Sequence, residues 1–510
     1  MRVGIITVFI DHHRKGLHHR FNPQPQVGPL IAALLPRWVE VEIINDTWTD
    51  PDWTKDYDLL FLSGLQSDFD RTRQIAHYWR QRGAKVVCGG IMATLYPELC
   101  GPYVDAVAIG DCETTVPAIF RDFCRGELKP IYQSAEYDPV TTPLPRLDLI
   151  AHHQILPITL EATRGCPFSC EFCALPGMGT RFHARPPERV VRDIQAAQSM
   201  LEGRIPWYKH RLVAFSDNNI GGNLSHLKRL CEALTPLGIR WGASATFNVV
   251  SNLDLVKAMS RSGCRYLYVG VESFNPRTIQ DMRKYQNALD RTRTVLDQCQ
   301  RHGILMETGM LVNPMVDDCE YIRSIPGRLR SVGFHVPTHM SFECPIPGTP
   351  LFFRLAAQPT PVMLPNALLR DFTGHTLVTR PQYAAVTEFV EAYKQTTREV
   401  FSIGPRFRKG MGDLSRLLPR GYVVPAMIDL QNTIVYRWQP RQDRTFIAGT
   451  EPAPPEVAKV PFTADDFESE QQRRDIMEPW KVTDADGRVL PEWLHAHGDV
   501  TLQRRQSVAN

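Results

Sequence analysis

Short apolar, β-branched runs alternate with amphipathic helical stretches along most of this 510-residue chain, and that alternation most restricts its fold. Runs at residues 2–8, 39–44, 59–63, 85–88 and 106–109 read as strands, with helical periodicity at 27–35, 69–82 and 114–124 between them. Strands separated by helices can pair only in parallel, with helices on both faces, so residues 1–135 are expected to form a doubly wound α/β domain. Residues 136–155, with Pro139, Pro143 and Pro145, carry no periodicity and read as a linker. Strands then recur at 158–162, 212–215, 240–244, 266–270, 305–311 and 339–343, with helices at 187–198, 225–234, 253–262, 289–302 and 319–330. Such a series is two units short of a closed eight-stranded barrel, so residues 156–355 predict a partial (β/α)6 barrel of the TIM type, open on one side. Residues 356–438 read as a small, mainly α-helical cap, and 439–510, rich in proline and acid, as a loosely ordered tail.

A composition of 43% hydrophobic and 22% charged residues is that of a globular chain with room for two or three cores. The net charge of +3 is too small to argue for nucleic acid or an anionic membrane. No run of apolar residues is long enough to span a bilayer. The apolar start is followed at once by Asp11, His12 and His13 and reads as a first strand, not a signal peptide. Twelve cysteines in a large chain with no secretion signal point to a reducing cytoplasm. Cys88, Cys100, Cys112 and Cys124 recur every twelve residues but fall on unrelated elements, and coincidence explains them better than ligation. Arg406, Arg408, Lys409, Arg416 and Arg420 form a basic stretch that reads as solvated surface, with a phosphate or lipid headgroup as the alternative partner.

Cys166, Cys170 and Cys173 lie in the loop after the first barrel strand, and their C-x3-C-x2-C spacing arises by chance about 0.007 times in a chain of this cysteine content. Three thiolates on a four-iron cluster leave one iron without a protein ligand, and an open metal position is where chemistry takes place. The alternatives are three buried thiols, or a zinc site that would need His183 as a distant fourth ligand. Gly165 and Pro167 keep the backbone irregular, as a loop wrapped round a cluster requires, and Phe172 is placed to shield it.

Residues 164–173, R-G-C-P-F-S-C-E-F-C, resemble the signature of the radical S-adenosylmethionine superfamily. The resemblance implies that the open iron chelates S-adenosylmethionine and that one electron cleaves it to methionine and a 5′-deoxyadenosyl radical, which takes hydrogen from a substrate. A flavodoxin or ferredoxin would supply that electron. At the carboxyl ends of later strands, Asp217, Ser244 and Glu272 are candidate S-adenosylmethionine contacts, with Glu272 inside a G-V-E-S element similar to the superfamily's. Read alone, Asp217 is a helix N-cap and Glu272 one half of a salt bridge. The P-I-P-G-T-P turn at 345–350 and the segment 370–381 are similar to parts of the same branch.

The first domain carries a second resemblance. Residues 11–16 fit D-x-H-x-x-G, Ser63-Gly64-Leu65 follows the third strand, and Gly89-Gly90 follows the fourth. This pattern resembles the flavodoxin-like cobalamin-binding domain of corrinoid enzymes, where small residues at strand ends admit the nucleotide tail. It implies Ser63, Leu65, Gly89 and Gly90 as cobalamin contacts, His13 as a cobalt ligand and Asp11 as the residue that orients it. Without the resemblance, His13 is a solvated histidine in a histidine-rich loop.

Together these features predict a cobalamin-dependent radical S-adenosylmethionine methyltransferase acting on an unactivated carbon of a small or lipid-like molecule. A cyclase, oxidase or rearranging enzyme of the same architecture is the alternative. A non-enzymatic cobalamin or redox sensor fits the cysteine triad poorly. A methylthiotransferase would need further cluster cysteines and a nucleic-acid module that the sequence lacks.

Overall fold

The structure is a computed structural model that describes residues 1–9, 25–153, 156–423, 426–427, 429–430, 446–450 and 460–495. The first elements are β1 (Arg2–Thr7), α1 (Val27–Leu34), β2 (Glu40–Asn45), β3 (Leu59–Ser63), α2 (Phe69–Gln81), β4 (Lys85–Gly89), α3 (Gly90–Leu95), β5 (Ala106–Ile109), α4 (Cys112–Arg125) and β6 (Ile131–Gln133). All the strands pair in parallel in the order β2-β1-β3-β4-β5-β6. The order reverses between β1 and β3, a topological switch point that opens a crevice at the carboxyl edge. Period-two alternation sends Val3, Ile5, Leu59 and Phe61 to one face, against Ile31, Ile119 and Phe120 of α1 and α4. Ile6, Leu60 and Leu62 go to the other face, where Ile75 and Trp79 of α2 join a core continuous with the rest of the molecule.

The second half comprises β7 (Ile158–Leu160), α5 (Pro187–Met200), β8 (Leu212–Phe215), α6 (Leu224–Leu234), β9 (Arg240–Ala245), α7 (Leu253–Arg261), β10 (Cys264–Val269), α8 (Thr292–Arg301), β11 (Leu305–Glu307), β12 (Gly309–Val312), α9 (Cys319–Val332) and β13 (His339–Phe342). Strands β7 to β11 form a parallel sheet in sequence order. The single strand expected over 305–311 is two strands. The chain breaks at Thr308, and β12 turns away to pair with β13 in a separate two-stranded sheet. The side chain explains the break, because the Thr308 hydroxyl accepts from the Val271 amide and bonds its neighbour's carbonyl oxygen, taking the residue out of the ladder. A bridge between Glu272 and Met310 joins the small sheet to the large one.

Two readings from sequence change. The described part of the proline-bearing stretch, 136–153, is packed: Tyr137 and Leu147 are buried, and the Arg146 amide donates to the Pro29 carbonyl. Within the expected loose tail, residues 460–495 are docked. Beyond α10 (Val386–Val400) and α11 (Ile403–Leu417), helix α12 (Glu470–Met477) lies on α2. Buried Arg73 of α2 donates to the Glu478 carbonyl at 2.7 Å and lies among the rings of Phe69, Tyr103 and Trp480. Trp493 is 2% exposed and meets Tyr96 edge to face. Proline and acid content describes this segment's surface and misses its tryptophan anchors, which supply the buried area that holds it.

Candidate active site

The cysteine loop is clamped at its base and gripped along its length. Thr163 and Arg164 pair antiparallel with His183 and Ala184, closing a loop that carries all three cysteines. Gly165 turns it at φ +80°, and a Cβ there would lie 2.0 Å from the Arg181 carbonyl oxygen, so glycine is obligatory. The end of β8 supplies the next grip. The Asp217 carboxylate accepts from the amides of Ala162 and Thr163, both at 2.9 Å, and from the Thr163 hydroxyl at 2.8 Å. Asn218 accepts from the Gly165 amide, and Asn219 donates to Cys166 Sγ at 3.5 Å while accepting from the Thr246 hydroxyl. The far side is held by buried Glu171, which receives Arg354 at 2.6 Å and Arg283 at 2.8 Å.

Asp217 therefore has a different task from the one expected. Its carboxylate is 3% exposed and its oxygens are taken up by the loop's own backbone, which makes it a positioning residue for the cysteine loop. Burial pushes its carboxyl up to about 7, against the hydrogen bonds that pull it down.

Burial also pushes Cys173 up to about 11 and raises Cys170, and the neighbouring Cys166 thiol adds to both. These thiols need a cation to ionise, and Lys284 provides one. Its Nζ pairs with Glu272 Oε1 at 2.5 Å and lies 5.8 Å from the centre of the Phe172 ring. Burial opposes its charge, yet Glu272 and the thiols of Cys170 and Cys173 hold its pKa above the usual lysine range. Among the described residues, no three His, Cys, Asp or Glu side chains are gathered closely enough for a single metal ion. A zinc ion bound at about 2.3 Å would demand that closeness, whereas a cubane spreads its thiolates over separate irons. His183, the candidate fourth zinc ligand, packs its ring against Tyr137.

Glu272 adopts φ +66°, a conformation rare outside glycine and recurrent at functional sites. Its carbonyl accepts from the Leu311 amide at 2.7 Å, and its side chain is the buried partner of Lys284. Ser244 lies half-buried on the inner face of β9, in register with Tyr268 of β10. Tyr268 stacks against His339 of β13 at 6.2 Å, and a Cβ on Gly309 would come within 2.6 Å of both side chains. Burial lowers the pKa of His339, which keeps its ring neutral.

At the carboxyl edge of the first sheet, Ser63 is in register with Gly89. Gly90 takes φ +87°, and a Cβ there would lie 2.5 Å from the Ser63 hydroxyl. The neighbouring glycines are packed as well, a Cβ at Gly64 meeting Asp68 and Val8 and one at Gly89 meeting Ala108, and Leu65 is 49% exposed. Asp11 and His13 fall outside the described residues. The first domain and the cysteine loop are tied together by Arg164. Its guanidinium meets Asp111 at 2.7 Å and Glu113 at 2.9 Å, both at the start of α4, and Glu161 at 2.7 Å, with its Cζ 4.0 Å from the centre of the Tyr137 ring. Sequence patterns alone do not single out Arg164 or Lys284: Arg164 stands inside the quoted motif, whereas Lys284 follows a short helix with no local signal.

Residues 160–325 match the family model of the radical SAM superfamily, so this part of the chain is a radical SAM domain. The chain is 26% identical over 340 residues to the bacteriochlorophyllide d C-12(1)-methyltransferase of Chlorobaculum tepidum, a match covering 63% of this chain and 72% of the relative. It is 23% identical over 339 residues to the C-8(2)-methyltransferase of the same organism, covering 63% and 74%. In fold it is similar to the radical S-adenosylmethionine methyltransferase TsrM of Kitasatospora setae, solved with cobalamin and a [4Fe-4S] cluster bound. That likeness has a TM-score of 0.56 at 15% identity and covers 88% of this chain and 93% of that one.

Proposed function

We propose that this enzyme methylates an unactivated carbon of a small, largely apolar molecule, using a 4Fe–4S cluster, S-adenosylmethionine and cobalamin. One observation carries the reading: Arg164, at the base of a clamped three-cysteine loop, pairs with Asp111 and Glu113 at the carboxyl edge of the doubly wound sheet. Two edges suited to two cofactors are thereby held on one rigid frame. When bound, the cluster and S-adenosylmethionine supply a hydrogen-abstracting radical, and the corrinoid supplies a methyl donor. Cys166, Cys170 and Cys173 hold the cluster, with Lys284 balancing thiolate charge and Asp217, Asn218 and Asn219 fixing the loop's path. Ser244 and Glu272 border the S-adenosylmethionine site, and Ser63, Leu65, Gly89 and Gly90 the corrinoid site. In this reading residues 1–135 carry the corrinoid, 156–355 the radical chemistry and 356–438 the closing cap, with a flavodoxin or ferredoxin as electron donor.

Anaerobic reconstitution with iron, sulfide and hydroxocobalamin, followed by product analysis, tests it. Retained cobalamin with both 5′-deoxyadenosine and S-adenosylhomocysteine is the expected result. Deoxyadenosine alone, with no corrinoid retained, would sink the methyl-transfer reading and favour an oxidase or cyclase.

A further inference from the structure

Helix α11 divides sharply into two faces. Inward, Lys409 is buried and forms ion pairs with Glu307 at 2.8 Å, Asp413 at 3.4 Å and Asp429. Outward, Ile403, Phe407 and Met411 follow one another at helical spacing and are 78%, 66% and 52% exposed, and Leu418 continues the row at 47%. Asp413 and Asp429 are the only acidic residues between positions 401 and 430, and both are buried against Lys409. The exposed charges of this segment are therefore all positive, carried by Arg408, Arg416 and Arg420. The basic stretch that reads as solvated surface in the sequence is thus the flank of an apolar ridge stripped of its acids.

We propose that this face docks the enzyme peripherally on an anionic lipid surface. An apolar row flanked by arginines is what an interfacial helix presents, with the row entering the acyl boundary and the arginines meeting lipid phosphates. The small net charge of the whole chain does not weigh against this, because screening confines such attraction to charges near the surface. Self-association fits the same face poorly. A two-fold contact through this ridge would bring Arg408 and Arg420 toward their own copies with no exposed acid in the segment to pair them. The proposal goes beyond the methyltransferase reading and stands without it.

Co-sedimentation of the full chain with vesicles tests it, using phosphatidylcholine alone and phosphatidylcholine with one part in four phosphatidylglycerol. Binding to the anionic vesicles only is expected, at least tenfold weaker in about 0.5 M salt. The double variants Phe407→Ser/Met411→Ser and Arg408→Glu/Arg420→Glu should each bind at least tenfold more weakly, with unchanged melting temperature. Sedimentation velocity runs alongside. No binding of the wild-type chain, binding indifferent to the Phe407→Ser/Met411→Ser pair, or a dimer that this pair dissolves would overturn the proposal, the last in favour of a second copy as the occupant.

Discussion

Asp217 offers a sharp test of how the fold builds its cysteine loop. The carboxyl titrates near 3.8 when free and is pushed up to about 7 in the fold. The native state thus binds this proton more tightly than the unfolded chain, so Asp217 favours folding most below about 4 and that advantage is lost as pH rises toward 7. Each pKa unit is worth about 1.4 kcal/mol, and between pH of about 5.5 and about 8 the linkage amounts to roughly 2 kcal/mol. The substitution Asp217→Asn leaves a side chain that cannot titrate. The amide approximates the protonated carboxyl and sets a donor against one of the two backbone donors, at a roughly pH-independent cost of about 1–3 kcal/mol. Urea midpoints of wild type and variant at both pH values measure the difference. The wild type should lose about 2 kcal/mol relative to the variant on going from the lower pH to the higher. Other buried acids, such as Asp371, titrate in both proteins and cancel. Parallel pH curves would refute the reasoning, because Asp217 would then be exchanging its proton as an exposed carboxyl does.

Further outcomes follow from the same geometry. Cys166→Ala/Cys170→Ala/Cys173→Ala should lose the visible absorbance of the reconstituted protein, and unchanged iron content would contradict the assignment. Gly165→Ala places a Cβ 2.0 Å from the Arg181 carbonyl oxygen, so iron retention after desalting should fall well below wild type while melting of the remaining fold changes little. Arg164→Met removes the partner of three carboxylates; Glu113 and Glu161 keep 11% and 26% side-chain exposure, which tempers the loss to about 2–3 kcal/mol in urea unfolding. Adding Glu161→Gln should recover part of it. Lys284→Met leaves Glu272 buried and unpaired beside the thiols, and should cost about 3–5 kcal/mol in the metal-free protein, measured by denaturant midpoint.

What is legible in the sequence is whatever depends on neighbours along the chain. Strand and helix positions follow from periodicity because each element must bury one face: Leu59–Ser63 and Ala106–Ile109 are strands with the bounds expected of them. The break at Thr308 is invisible there because it depends on a hydroxyl bonded to Val271, distant in sequence. The roles of Asp217 and Glu272 are ambiguous for the same reason. A carboxylate at a strand end looks alike whether it serves a ligand or a backbone, and only the approach of Thr163 or Lys284 decides. Composition misleads most in the tail, where it describes 460–495 as loose although Trp480 and Trp493 anchor it. Along 406–420 Arg408, Arg416 and Arg420 are exposed as read, and Lys409 is the exception, buried among acids.

The break in the fifth barrel strand has a consequence for how such an enzyme diversifies. The wall carrying His339 is laddered to β12, and the ladder of the cluster-bearing sheet ends at β11; the Glu272–Met310 bridge is the stitch between them. The wall is in that sense an exchangeable part: a lineage can re-cut it for a new molecule while the radical-generating frame keeps its alignment.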